Sequence, residues 1–453
     1  MNSTQQRTIS TCSRRDVLRQ AGVGLSMTAA TTFAPFVFSG CSRQRASLPS
    51  VPKVKVGILH SQTGTMSMHE SSLRDAELLA IEEINADGGV LGHHIDPIVK
   101  DTRSGFTDIF PKKATELLSD DRVSTVFGCW TSSSRKAVVP LFERFNGMLF
   151  YPLQYEGNES SYNVVYSGSV PNQQIIPAVD WLVSREGGSK RRFYLVGSDY
   201  IFPWTAHHIL EACIAGPGRQ NIEIVGFRYL PLGHRDFAET VRGIQVAEPD
   251  VIFSTINGIS NQYFFRELAS QAVSAEKTPV ISTSVGEDEL RGMMPSHVEG
   301  QLATWHYFQS INTPRNRRFA RRFRSAHGED RVLSDPMEAA YSQVYLWKSA
   351  VEKAESFEVD AIRDAFSSAV EFHAPGGELK LDPKSFHAYK RCRIGRARGD
   401  GQFDIVYESP GVIPPDPYPT VAFPGWNCDW TRGGITQGEQ VRISRPNNDG
   451  ATS

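Results

Sequence analysis

Short apolar runs alternate with amphipathic stretches through most of the chain. Residues 54–59, 95–100, 123–127 and 148–151 have the length and the β-branched or aromatic content of strands. Between them, residues 73–85, 112–119 and 134–145 carry apolar side chains at helical spacing, and the first of these runs into a stop at Gly88-Gly89. The pattern restarts after Pro171-Asn172. Helical stretches at 175–184, 205–215, 236–246 and 261–273 alternate with strand candidates at 193–197, 222–229, 251–254 and 280–282. Two further helices are predicted at 316–326 and 337–354, followed by strand-like pieces at 379–381, 391–397 and 403–407. This tandem βαβα order predicts an α/β chain with two parallel-sheet lobes, joined by extended crossings around a hinged cleft. Lobe I is expected over 53–172 with a return segment at 305–375. Lobe II is expected over 173–304 with a closing segment at 376–430, and 431–453 reads as a flexible tail.

The first forty residues have a different character. Ser13-Arg14-Arg15-Asp16-Val17-Leu18-Arg19 resembles a twin-arginine export signal, and a mildly apolar stretch follows over 21–38. Phe38-Ser39-Gly40-Cys41 resembles a lipobox, which implies cleavage after residue 40, lipidation of Cys41 and a polar tether over 41–52. Two acyl chains would hold a soluble body at a membrane surface. The expected location is therefore the periplasm or the outer face of the cytoplasmic membrane.

Composition adds limits. Hydrophobic residues are 40% and charged residues 22%, the balance of an ordinary globular protein. The formal charge is −2; removing the +3 excess of residues 1–40 leaves a mildly acidic body at −5. No basic stripe interleaved with aromatics points to nucleic acid. The one cationic run, Arg315 to Arg324, reads as a solvated helix face. Cys129, Cys213, Cys392 and Cys428 are scattered, so a structural metal site is not expected, and their spacing assigns no disulfide.

Ligands in open α/β sheets sit beyond the carboxyl ends of the strands. Those segments are Gly128-Cys129-Trp130-Thr131-Ser132, Tyr151-Pro152-Leu153-Gln154-Tyr155-Glu156-Gly157, Gly197-Ser198-Asp199-Tyr200-Ile201-Phe202-Pro203 and Thr255-Ile256-Asn257-Gly258. A hydroxyl just before a helix can cap it or can face a ligand. These stretches, with Pro171-Asn172-Gln173-Gln174 and Asp335-Pro336-Met337-Glu338-Ala339-Ala340-Tyr341, resemble the urea-binding proteins of urea ABC transporters. A wider relative is the short-chain amide sensor of amidase operons, from which Trp130 and Leu153 depart.

The resemblance implies a leucine-binding-protein-like fold and a binding protein that delivers urea or a small amide to ABC permease subunits, with no cofactor. Ser132, Tyr151 and Tyr200 match ligand-contacting positions of the amide-sensor motifs. Trp130, Thr131, Asp199 and Asn257 join the expected site as their neighbours. Urea has one acceptor oxygen and four N–H donors, and unpaired buried polar groups are costly. Ser132 and Thr131 are therefore expected to donate, with Asp199, Asn257 and the tyrosine oxygens accepting and Trp130 closing over the flat face. Short-chain amides, branched-chain amino acids and a cytosolic amide-sensing role are the alternatives within the fold. An enzyme is not expected: Cys129 is the only candidate nucleophile near the cleft, and no partner base accompanies it.

Overall fold

The computed structural model describes residues 51–438 apart from 218, 220 and 369. The export signal, Cys41 and the end of the tail lie outside the described residues.

Strands β1 (Lys53–His60), β2 (His94–Asp101), β3 (Val126–Gly128), β4 (Leu149–Tyr151) and β5 (Val164–Tyr166) make the first sheet, in the order β2-β1-β3-β4-β5. Every neighbouring pair in it is parallel. The second sheet uses β6 (Arg192–Ser198), β7 (Glu223–Leu230), β8 (Val251–Thr255), β9 (Val280–Ser282) and β10 (Leu302–Trp305). After a separate hairpin of β11 (Glu371–Ala374) and β12 (Gly377–Lys380), it gains β13 (Arg393–Ala397) and β14 (Phe403–Glu408). Its order is β14-β13-β10-β9-β8-β6-β7, with β13 and β14 antiparallel. Each sheet has its own apolar core, and the second sheet is covered on both faces. The two-lobed periplasmic-binding-protein fold is the one expected.

The helices are α1 (Ser67–Ala86), α2 (Ile109–Thr115), α3 (Ser132–Arg144), α4 (Ile175–Val183), α5 (Ile201–Ile214), α6 (Ala238–Ala247) and α7 (Ser260–Ser270). They continue with α8 (Glu287–Leu290), α9 (Pro295–Val298), α10 (Pro314–His327), α11 (Asp335–Ala354) and α12 (Val359–Phe366). Central strands such as β8, buried at all five positions, are apolar on both faces because helices cover both. Helix α10 turns Phe319 and Phe323 inward and leaves Arg315, Arg317, Arg318, Arg321 and Arg322 exposed, the solvated face read from the sequence.

Three differences from the expected elements have physical causes. Helix α1 begins six residues before the predicted start, because its polar first turns are buried against the second lobe instead of water. There His69 Nδ1 lies 2.8 Å from Glu289 of α8, and Ser72 Oγ donates to Asp288 at 2.8 Å. Helix α5 starts four residues early, with Pro203 in its first turn, where a missing N–H breaks no helical bond. Strand β10 was not predicted, since Leu302-Ala303-Thr304-Trp305 is buried throughout and shows no alternation. The four cysteines of the body are free and buried.

The chain passes between the sheets from β5 to β6, again after β10, and a third time beyond His387. That last crossing is tied to the first, because the Ala388 N–H donates to Tyr166 O at 2.9 Å and Tyr166 bridges His387. The carboxyl ends of β3, β4, β6 and β8 therefore meet across one cleft.

Candidate functional site

Strand β3 ends at Gly128, where a Cβ would stand 2.4 Å from Leu59 O, so only glycine fits against β1. Cys129 then takes φ +67°, a left-handed conformation uncommon outside glycine, and the chain turns sharply into α3. Thr131 is the N-cap of that helix: its Oγ1 accepts from the Ser134 N–H at 3.0 Å. This turn presents Trp130 and Ser132. After β4, Leu153 and Gln154 pass under the crossing at Gly168, whose missing side chain lets the two backbones touch; a Cβ there would lie 1.9 Å from Leu153 O.

Trp130, Ser132, Tyr151, Leu153 and Gln154 from the first lobe and Tyr200, Phe202 and Asn257 from the second enclose a small chamber of about 10 Å³, room for about one water. Gln154 also spans the cleft, its Nε2 donating to Thr283 O at 3.0 Å. Five of the seven residues expected at the site line this chamber. Thr131 and Asp199 do not. The Thr131 hydroxyl is occupied in capping, and Asp199 accepts from Trp204 Nε1 at 3.1 Å. Leu153, Gln154 and Phe202 were missed although they lie inside the segments singled out in the sequence. Their signal was position alone: each is within four residues of a strand end.

The hydrogen bonds already made by the wall decide what it has left for a ligand. Tyr151 gives its proton to Trp130 O at 2.7 Å. Ser132, expected to donate to a ligand, here gives its proton to Glu156 Oε2 at 2.5 Å. Asn257 spends an amide N–H on Thr255 O at 3.1 Å. Gln154 spends its amide N–H on Thr283, and its Oε1 is buried with no partner among the described residues. Ser132 and Tyr151 therefore have only oxygen lone pairs left, while the Gln154 and Asn257 amides each keep an oxygen and a second N–H. Tyr200 adds a hydroxyl donor from the second lobe. Burial, then Tyr151 and Glu156, raise its phenol pKa, so it keeps a proton it can donate.

Behind the wall lies Arg135, buried and fully engaged. Its Nε donates to Glu159 at 2.6 Å, Nη2 to Glu156 at 3.2 Å and Nη1 to Ser132 Oγ at 3.3 Å. The guanidinium also lies 4.7 Å from the Tyr151 ring centroid and 4.4 Å from that of Tyr155. Burial works against the charge of Glu159, yet Arg135 and Lys136 hold its pKa down to about 2. No lysine or arginine lines the chamber. The Cys129 thiol is buried and its pKa is pushed up by burial, first of all, which keeps it protonated. A protonated, enclosed thiol is no nucleophile.

A family model described as "Periplasmic binding protein domain" matches residues 54–423. The chain belongs to that family. It is a solute-binding protein and not an enzyme, and the family operates outside the cytoplasm. Over 359 residues this periplasmic binding protein is 21% identical to Leu/Ile/Val-binding protein homolog 6 of Brucella melitensis, covering 76% of this chain and 87% of that one. A second match, to a protein of Geobacillus stearothermophilus named limonene hydroxylase, is 31% identical over 128 residues. It spans 28% of this chain and only 23% of that protein.

Among solved structures, a solute-binding protein of an ABC transporter from Rhodopseudomonas palustris, in complex with 3,4-dihydroxybenzoic acid, superposes with a TM-score of 0.71 at 19% identity. It covers 80% of this chain and 99% of that one. A branched-chain amino acid transporter substrate-binding protein from Streptococcus pneumoniae, in complex with isoleucine, gives 0.65 at 17% identity, with 80% and 100% covered. At these identities the likeness is one of fold.

Proposed function

We propose that this periplasmic binding protein captures urea, or a small amide of the same shape, and hands it to the permease of an ABC transporter. The observation that carries this reading is a small, neutral chamber rich in acceptors. At about 10 Å³ it lies far below the roughly 300–1,000 Å³ of drug-sized sites, which suits only a ligand of a few heavy atoms. Ser132, Tyr151, Gln154 and Asn257 offer acceptors suited to the N–H groups of a planar amide, and Tyr200 offers a donor for its one oxygen. Leu153, Phe202 and Trp130 supply the apolar surface for its flat faces.

A carboxylate ligand, such as the benzoate and amino acid held by the two solved relatives, would meet no lysine or arginine in this wall and would face the remaining lone pairs of Ser132 and Tyr151. Arg135 lies behind Ser132, and its charge is already spent on Glu156 and Glu159. Thermal unfolding tests the reading. A ligand at about 100 times its dissociation constant adds about 2.7 kcal/mol. Millimolar urea, far below denaturing concentrations, should therefore raise the melting temperature, and leucine and 4-hydroxybenzoate should not. The reverse ranking sinks the proposal.

We further propose that Cys41 carries the lipid anchor after twin-arginine export. Cys41→Ser should then move the protein from the membrane fraction to the soluble fraction with ligand affinity unchanged. Full retention on membranes refutes the anchor.

A further inference from the structure

We infer that Glu156 is a specificity-determining residue that acts through Ser132: it takes the hydroxyl proton and so obliges the ligand to bring an N–H to that position. The inference rests on the urea-or-amide reading of the chamber and adds the device that enforces it. A serine hydroxyl has one proton and two lone pairs. The proton is directed to Glu156 Oε2 at 2.5 Å, and one lone pair faces Arg135 Nη1 at 3.3 Å. One lone pair remains, on a residue that lines the chamber. Ser132, Arg135 and Glu156 are each no more than 2% exposed, so water offers the hydroxyl no alternative partner.

The arrangement is held from behind. Arg135 also bonds Glu156 Oε1, and it is itself fixed by Glu159 and by the rings of Tyr151 and Tyr155. Lys136 lies 2.8 Å from Glu159 and 3.9 Å from Glu156, completing a set of two cations and two carboxylates. The hydroxyl therefore cannot swing its proton into the chamber without giving up a charge-assisted bond, roughly twice as strong as a neutral one. A ligand that presents an oxygen to Ser132 meets lone pair against lone pair, whereas one that presents N–H completes the hydroxyl.

Acetamide and acetate probe this directly, since they share a shape and differ in that one end. In the wild type, acetamide should displace urea, and acetate should compete at least roughly tenfold more weakly, a gap of 1.4 kcal/mol. Glu156→Gln supplies an amide that can donate to Ser132, which frees the serine proton to face the ligand. The acetamide-to-acetate affinity ratio should fall by about tenfold or more in that variant.

The same substitution also removes a negative charge, which alone would favour acetate. In a Ser132→Ala background that charge effect persists while the hydroxyl device is gone, so there the ratio should fall by clearly less, at least about fivefold less than in the wild-type background. An equal change in both backgrounds, or none in either, overturns the inference, as does a loss that weakens both ligands alike. If Glu156→Gln fails to fold, the wild type decides: acetate competing as well as acetamide overturns the inference, and acetate failing to compete supports it. Wild-type protein that binds neither urea nor acetamide removes the amide reading as well. Amide binding with an unmoved ratio removes only the role of Glu156.

Discussion

Arg135→Met should cost about 3–5 kcal/mol of folding stability at neutral pH, because it strands buried carboxylates beside an apolar side chain. Glu156 and Glu159 both rely on the guanidinium, and Glu156 is 1% exposed. Two ring contacts, with Tyr151 and Tyr155, go with it. The pH dependence follows from Glu159, whose folded pKa is lowered from 4.5 to about 2. A depressed carboxylate contributes stability that is fully present above its unfolded pKa and is lost as pH falls through the folded one. The gap between wild type and variant should therefore be widest above about pH 5 and close progressively toward pH 2. Guanidinium chloride is the denaturant to use, since urea is the proposed ligand. Equal stability at pH 7, or a gap that does not change between pH 6 and pH 3, contradicts the role given to this cation.

Ser132→Ala should weaken urea binding by on the order of 10- to 100-fold. It removes one acceptor, worth about 0.5–1.5 kcal/mol, and leaves the N–H it faced unpaired, which adds roughly 1–3 kcal/mol. Glu156 loses its hydroxyl donor in the same change, but Arg135 and Lys136 still hold it, so the fold should survive. Tyr200→Phe removes the donor proposed for the urea oxygen from the opposite lobe. Its contact forms when the lobes meet, so its effect should fall on the dissociation rate more than on association. Titration calorimetry gives the affinities and stopped-flow the rates; wild-type values in both folded variants would place the ligand elsewhere.

Much of this was legible in the sequence because parallel α/β lobes write themselves as alternating periods. The ends of β3, β4, β6 and β8 could be located to within two residues, and with them Trp130, Ser132, Tyr151, Tyr200 and Asn257. What the sequence hid is the direction of each bond. Ser132 and Thr131 look alike, yet one lines the chamber and the other caps α3. Arg135 lies three residues beyond Ser132, close enough in sequence to serve as a carboxylate receptor. Nothing in local pattern shows that Glu156 and Glu159, 21 and 24 residues later, neutralise it. Asp199 looked like an acceptor for the ligand and bonds the indole of Trp204 one helical turn on. Such choices are made by side chains meeting across elements, which periodicity does not report.

The chamber is proposed to take a neutral, N–H-rich molecule of a few heavy atoms. Calorimetric titration of the protein lacking residues 1–40 tests it most directly, with urea, acetamide, leucine and 4-hydroxybenzoate each in the syringe. The expected result is one urea per chain, measurable but weaker acetamide binding, and no saturable heat from the two carboxylates. Saturable binding of leucine or 4-hydroxybenzoate with none of urea would contradict it.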